Sequence, residues 1–384
     1  MLLLAVSFFS FSQEPLVTVP MELHGDHIMI KVQVDDSEPL DFIFDTGDGL
    51  TVIDLDIARA LQLDLDHKQS TTSAGGKITG ALIKHNKVEI EDLTMDSDIK
   101  VYATSLKHLE ISIGRNIDGI IGYDILHNYA VRINYDSNQF EIFDKGSAPG
   151  KGDKVNFKLH NAIPVINANL TLNNGETLKG EFYVNTGAGT TMDFNTPFAN
   201  KNDIVEKTGD HYSYLVAGLE DSESLHYEGR VKMFAFGSFR IQDMPIGISQ
   251  SQRGIQNDKK VAGIIGNRLL SRFNLTIDYK NNVFYFEPNE RFKNNYTVNA
   301  SGIDVQLNED LSKVLIHQVY ADSPAEQAGL KINDVLLSIN GQDAIELGVV
   351  RIRKMLRETG KEVTITFLRE GEEKRVTLKL KPLI

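Results

Sequence analysis

Two short turns carry most of the chemistry this sequence offers. Asp45-Thr46-Gly47 closes the run Asp41-Phe42-Ile43-Phe44, and Asn185-Thr186-Gly187 closes the run Glu181-Phe182-Tyr183-Val184. Both runs are apolar and strand-like, so residues 45 and 185 should emerge at strand tips. If the tips face each other, two carboxylates there could share one proton, one acting as base and the other as acid. This chain would instead pair a carboxylate with an amide. An amide donates a hydrogen bond but neither takes nor releases the proton, so hydrolysis by that route is expected to be severely impaired. Asp48 is the nearest spare carboxylate, and strand alternation directs it away from Asp45. Taken alone, Asp-Thr-Gly is also an ordinary turn, because Asp and Gly suit local hydrogen bonding and positive φ.

The company of the turns separates these readings. Gly119-Ile120-Ile121-Gly122 follows the first turn, and Gly263-Ile264-Ile265-Gly266 follows the second at nearly the same distance. Each is followed by a strand pair, 130–143 and 274–287, and each turn is preceded by a hairpin-like stretch, 27–44 and 163–184. The chain therefore repeats itself in two β-rich halves of similar length. Gly/Pro/Lys-rich residues 144–153 form the linker between them, and the polar, Asn-rich stretch 289–299 forms a second break. Beyond it the pattern changes. Ser323 can cap a short helix that Pro324 opens and Gly329 stops. A strand 334–339, the turn Asn340-Gly341, an amphipathic helix over 347–358 and two closing strands complete the tail.

Length and composition set the outer bounds. With 384 residues, 41% hydrophobic and 24% charged, the chain suits two or three soluble domains. The net charge of −13 argues against a nucleic-acid partner. From residue 300 onward Lys/Arg and Asp/Glu nearly balance, so the acidity belongs to the body. Without cysteine there is no disulfide, thiolate or Cys-based zinc chemistry. His24 and His27, beside Gly25 and Asp26, read as a polar turn rather than a metal site. Residues 1–12 are apolar and uncharged, end in a small-x-small pattern and are too short to span a bilayer. They read as a signal peptide without its basic region, with export to the periplasm or beyond expected.

Together the paired Thr-Gly turns and Gly-Ile-Ile-Gly segments resemble the retropepsin-like aspartic proteases, as two lobes fused in one chain over about residues 16–290. The resemblance implies a mainly β fold in which lobes 13–148 and 149–292 enclose a pepsin-like bilobal cleft. It implies Asp45 and the residue 185 position as the catalytic pair, with Asn185 standing where Asp is usual. Thr46 and Thr186 would lock the turns together, and Gly47 and Gly187 would allow their close approach. Gly75, Gly76 and Gly218 would be the tips of two flaps over an extended peptide, although each also fits a plain hairpin turn. Water is the nucleophile, so no cofactor is needed. Residues 300–384 resemble a circularly permuted PDZ domain of small α+β type, through Ser323-Pro324-Ala325, Ala328-Gly329-Leu330, Asp334 and Asn340-Gly341. Asn333 replaces the usual glycine. Such domains add a peptide strand to a sheet edge and hold its C-terminal carboxylate on loop N–H groups. Strand 302–307 is that edge here, starting at Gly302 and Ile303, with helix 347–358 as the opposite wall. A packing module without ligand is the plain alternative.

These features point to an exported aspartic-type endopeptidase that acts as a monomer, since fused lobes need no dimer. The rival readings are a peptide-binding protein that does not cut, and a parent protease inactivated at Asn185.

Overall fold

The computed structural model describes residues 14–72, 77–84, 87–95, 99–217 and 223–384. The fold is mainly β, with two lobes built on one plan and a small α+β domain after them. In the first lobe Leu40–Phe44 runs parallel to Gly119–Ile121, which is antiparallel to Thr51–Asp54. In the second, Thr177–Asn185 runs parallel to Gly263–Gly266, itself antiparallel to Met192–Phe194. Each Thr-Gly turn therefore joins two strands that flank a Gly-Ile-Ile strand. Glycine is required at that crossing. A Cβ on Gly119 would lie 2.3 Å from the Phe42 ring, and one on Gly263 would lie 2.1 Å from the Asp193 carbonyl oxygen.

The hairpins that follow each lobe do not stay apart. Tyr129–Asn134 pairs antiparallel with Phe273–Asp278, with Arg132 opposite Thr276. A six-stranded sheet results, running from Val17–Pro20 at one edge to Asp153–Asn156 at the other. Phe44, Phe140, Phe182, Phe194, Phe234, Phe273 and Phe286 are fully buried in one core that spans both lobes. At about 1.5–3 kcal/mol per buried aromatic or aliphatic side chain, this joint core ties the lobes into one unit.

Residues beyond 300 have a core of their own, with Ile303, Val305, Ile316, Ile339, Ile352 and Phe367. Their sheet begins at the edge strand Ile303–Leu307, which pairs with Val314–Val319 on one side only. The expected cap is present: Ser323 Oγ accepts from Glu326 N at 3.2 Å ahead of Pro324–Gln327. Asn333 has φ +70°, the conformation its position asks of glycine. The amphipathic helix starts earlier than its sequence pattern indicates. It spans Ala344–Met355, is capped by Asp343, and breaks at Gly348, where φ is +72° and ψ 158°. The joining stretch 289–299 is strapped to the body, with the Arg272 guanidinium 3.5 Å from the centre of the Tyr296 ring.

Candidate active site

Residues 45 and 185 end parallel-paired strands whose inward side chains, Phe42 and Phe44 in one and Phe182 and Val184 in the other, are buried. The core thus fixes both turns from below. Across the lobes the turns exchange four hydrogen bonds. Thr46 N donates to Thr186 Oγ1 at 3.0 Å, and Thr186 N donates to Thr46 Oγ1 at 3.1 Å. Thr46 Oγ1 donates to the Val184 carbonyl at 2.7 Å, and Thr186 Oγ1 to the Phe44 carbonyl at 3.0 Å. Both threonines are buried, so the N–H groups of Thr46 and Thr186 and the carbonyls of Phe44 and Val184 are satisfied by the opposite lobe.

This lattice sets Asp45 against Asn185. A Cβ on Gly47 would lie 2.1 Å from Asn185 Nδ2, and one on Gly187 would lie 2.2 Å from Asp45 Oδ2. Each glycine thus lies within contact of the functional group from the other lobe. Asn185 Oδ1 accepts from Gly187 N at 2.7 Å and Ala188 N at 3.1 Å, which leaves Nδ2 turned toward the first lobe. Asp45 Oδ1 accepts from Gly47 N at 2.6 Å. Burial pushes the Asp45 carboxyl up to about 6, partly offset by the N–H groups of Gly47 and Gly187.

Asp48 lies in the same turn as Asp45. Its carboxyl stays with the turn, accepting from Leu50 N at 3.2 Å, and feels the charge of Asp45. Burial first and that charge second push it up to about 7. Strand alternation fails here because residues 45–50 form a turn, not a strand. Two carboxyls in this one turn therefore titrate near neutrality.

Of two further residues near the site, the sequence reading placed His27 only in a polar turn and missed Asp193. His24 and His27 flank a tight turn between Glu22–His24 and His27–Val34. The His27 ring is half-buried, with Nδ1 unpartnered and Nε2 3.4 Å from a Cβ placed on Gly189, beside the second active turn. Burial lowers its pKa. Asp193 occupies the strand position that pairs with Ile264, where the first lobe has Val52 opposite Ile120. Its Oδ1 is buried without a partner, and burial followed by the charge of Glu228 pushes it up to about 7. The signal was a lone acid in an otherwise apolar strand. Because this carboxyl is raised from 3.8 when folded, its neutral form stabilises the protein at low pH, and that contribution is lost as pH rises through about 7. Asp193→Asn is therefore expected to raise stability at pH 8 by roughly 2–4 kcal/mol while changing little at pH 4. Denaturant melts at both pH values check this.

The flap hairpins are present in outline. Lys68–Thr72 pairs with Lys77–Ile83, and Tyr212–Ala217 with Glu223–Phe236. The proposed tips Gly75, Gly76 and Gly218 lie outside the described residues. In the last domain Ile303 is buried, and Gly302 has φ +88° with no room for a Cβ beside Ser323. Ser301 N and Gly302 N donate to Asn299 Oδ1 at 3.0 and 2.8 Å, and Ile303 N donates to Ser301 Oγ at 3.2 Å. Two cavities lie away from the turns. One of about 470 Å³ borders Arg351, Lys354 and Glu358, and one of about 600 Å³ borders Asp35, Asp64 and Lys84. Both are charged surface hollows. The chemistry sits where the lobes meet.

Comparison with known proteins agrees with this geometry. Residues 30–125 match the aspartyl protease family, and residues 291–368 match the PDZ domain. A probable periplasmic serine protease, do/HhoA-like, from Haemophilus influenzae is 33% identical over 84 residues, covering 20% of this chain and 18% of that protein. The carboxy-terminal processing protease CtpB of Bacillus subtilis is 29% identical over 96 residues, covering 24% of this chain and 19% of that one. The chain thus spans less than a fifth of the length of these relatives. The crystal structure of aspartic proteinase from Irpex lacteus covers 72% of this chain and 98% of its own, with 14% identity and a TM-score of 0.48. Within its first lobe the chain thus contains a stretch that matches the aspartyl protease family, and near its C-terminal end one that matches the PDZ domain.

Proposed function

We propose that this protein holds an extended peptide between its lobes and hydrolyses it slowly, with Asp45 as the base. The observation that carries the proposal is the Thr46–Thr186 lattice, which joins the two turns so that Gly47 lies against the Asn185 side chain and Gly187 against that of Asp45. Asp45 takes a proton from water, and the water oxygen attacks the peptide carbonyl carbon. Asn185 Nδ2–H donates to the oxyanion that forms. The proton on Asp45 then passes to the amine as the C–N bond breaks. Asp48, beside Asp45, is a second proton store in the same turn.

The test is cleavage of an unstructured polypeptide between pH 3 and 8. Slow cleavage that rises through about pH 6, as Asp45 ionises, and that disappears in Asp45→Asn is the expected result. Cleavage unchanged by Asp45→Asn would refute it. The second reading, a peptide holder that does not cut, is favoured by the amide itself. Tight peptide binding without products in any variant would support that reading.

We also propose that the protein is exported and works as a monomer. Residues 1–12 have signal-peptide character, and the Haemophilus relative is named as periplasmic. Both halves of the site come from one chain. No helix among the described residues is long and apolar enough to cross a membrane.

A further inference from the structure

The expected PDZ groove lies between the edge strand Ile303–Leu307 and the helix Ala344–Met355, and residues of the chain itself bond and pack against its walls. Arg353 reaches from the helix across to the strand. Its Nε donates to Asp304 Oδ1 at 2.9 Å, and Nη2 donates to Asp304 Oδ2 at 3.1 Å and to the Val305 carbonyl at 2.8 Å. That carbonyl is an acceptor a guest strand would need. The same guanidinium donates from Nη1 to the Ser112 carbonyl of the first lobe at 2.9 Å. Two residues on, a Cβ at Gly114 would lie 2.6 Å from Val349 Cβ, so backbone of the first lobe packs directly on the groove helix where it breaks at Gly348. The loop N–H groups that would receive a carboxylate are occupied by Asn299 and Ser301.

The neighbouring strand of the same domain grips the second lobe. Gln318, nearly buried, accepts from Leu215 N at 2.6 Å and donates to the Leu215 carbonyl at 3.0 Å, as a strand partner would. His317 Nε2 lies 2.6 Å from Glu223 Oε1, and the rings of Tyr212 and Tyr320 stack at 4.9 Å. Leu215 belongs to Tyr212–Ala217, the outermost strand of the second flap hairpin. One domain therefore covers its own groove with the first lobe and pins the flap of the second.

We propose that segment Ser112–Gly114 keeps the PDZ groove shut, and that a peptide ending in a free carboxylate competes with it, undocking the domain and releasing the flap strand. The proposal deepens the peptide-cleft reading and rests on it for its consequence, but the docking itself is independent of catalysis. A closed groove lowers apparent affinity by the fraction of molecules that are open. The core at the groove is apolar, with Ile303, Val349, Ile352 and Leu356, so the guest should end in an apolar residue.

The test uses the full chain and a fluorescein-labelled decapeptide ending in Ala-Val with a free carboxylate, beside its amidated twin. Gln318→Ala combined with His317→Ala loosens the docking without touching the groove walls. It is expected to tighten binding of the free-carboxylate peptide about tenfold, as loss of a few hydrogen bonds from the closed state would. Saturating peptide should also speed hydrogen exchange at Leu215 and across 212–217 in the unaltered protein. Equal affinity for both proteins, unchanged exchange at Leu215 on binding, equal binding of the amidated twin, or no binding to either protein would each overturn the proposal. None of these readouts needs cleavage, so a failure of the catalytic reading leaves them interpretable.

Discussion

Asn185→Asp is expected to raise the rate of peptide cleavage by about 10²–10⁴-fold, the usual worth of a positioned acid or base. The replacement is nearly isosteric, and the site is already shaped for it. Oδ1 of residue 185 accepts from Gly187 and Ala188 N–H groups, the donors a carboxylate would use, and Gly47 lies within contact of the other atom. With two carboxylates facing each other, one proton is shared, and the pair ionises in two separated steps. The pH profile should change shape accordingly. With Asp45 as sole base, near 6, activity rises with pH through that value. The variant should work at lower pH, on a bell whose acid limb belongs to the pair. Initial rates from pH 3 to 8 on an unstructured polypeptide decide it, and equal rates for the two proteins would show that the amide is no handicap.

Thr186→Val should have the largest effect on stability. The shape is kept, but the Phe44 carbonyl loses its donor and the Thr46 N–H its acceptor, both buried and out of reach of water. Two orphaned backbone groups cost about 2–5 kcal/mol, a large share of the ~5–15 kcal/mol that holds a typical protein folded. Thr46→Val should match it, because the lattice is two-fold. The double variant should cost about the sum, because each hydroxyl makes its own two bonds and none depends on both. Urea unfolding followed by circular dichroism measures all three, and a change below about 0.5 kcal/mol would mean that the lattice relaxes freely.

The parts of the site legible in the sequence were those written as local pattern. The Thr-Gly turns, the Gly-Ile-Ile-Gly strands, the Ser323 cap and Asn333 each state a backbone need within a few residues. The direction of Asp48 was beyond period-two reasoning, because residues 45–50 form a turn. Asp193 could be seen only as an acid where the first lobe has Val52, and its raised pKa depends on burial and on the charge of Glu228 in another strand. The docking of the PDZ domain left no local mark. Arg353 and Ser112 are 241 residues apart, and their contact is made by a carbonyl that any residue could provide.

The sheet that joins the lobes has one more consequence. At its centre, Tyr129–Asn134 and Phe273–Asp278 meet as equivalent strands of the two repeats. A half-length ancestor would have carried this edge unpaired and could have satisfied it with a second copy of itself. The seam therefore makes each half depend on the other for a strand partner, while single positions such as 45 and 185 still differ between them.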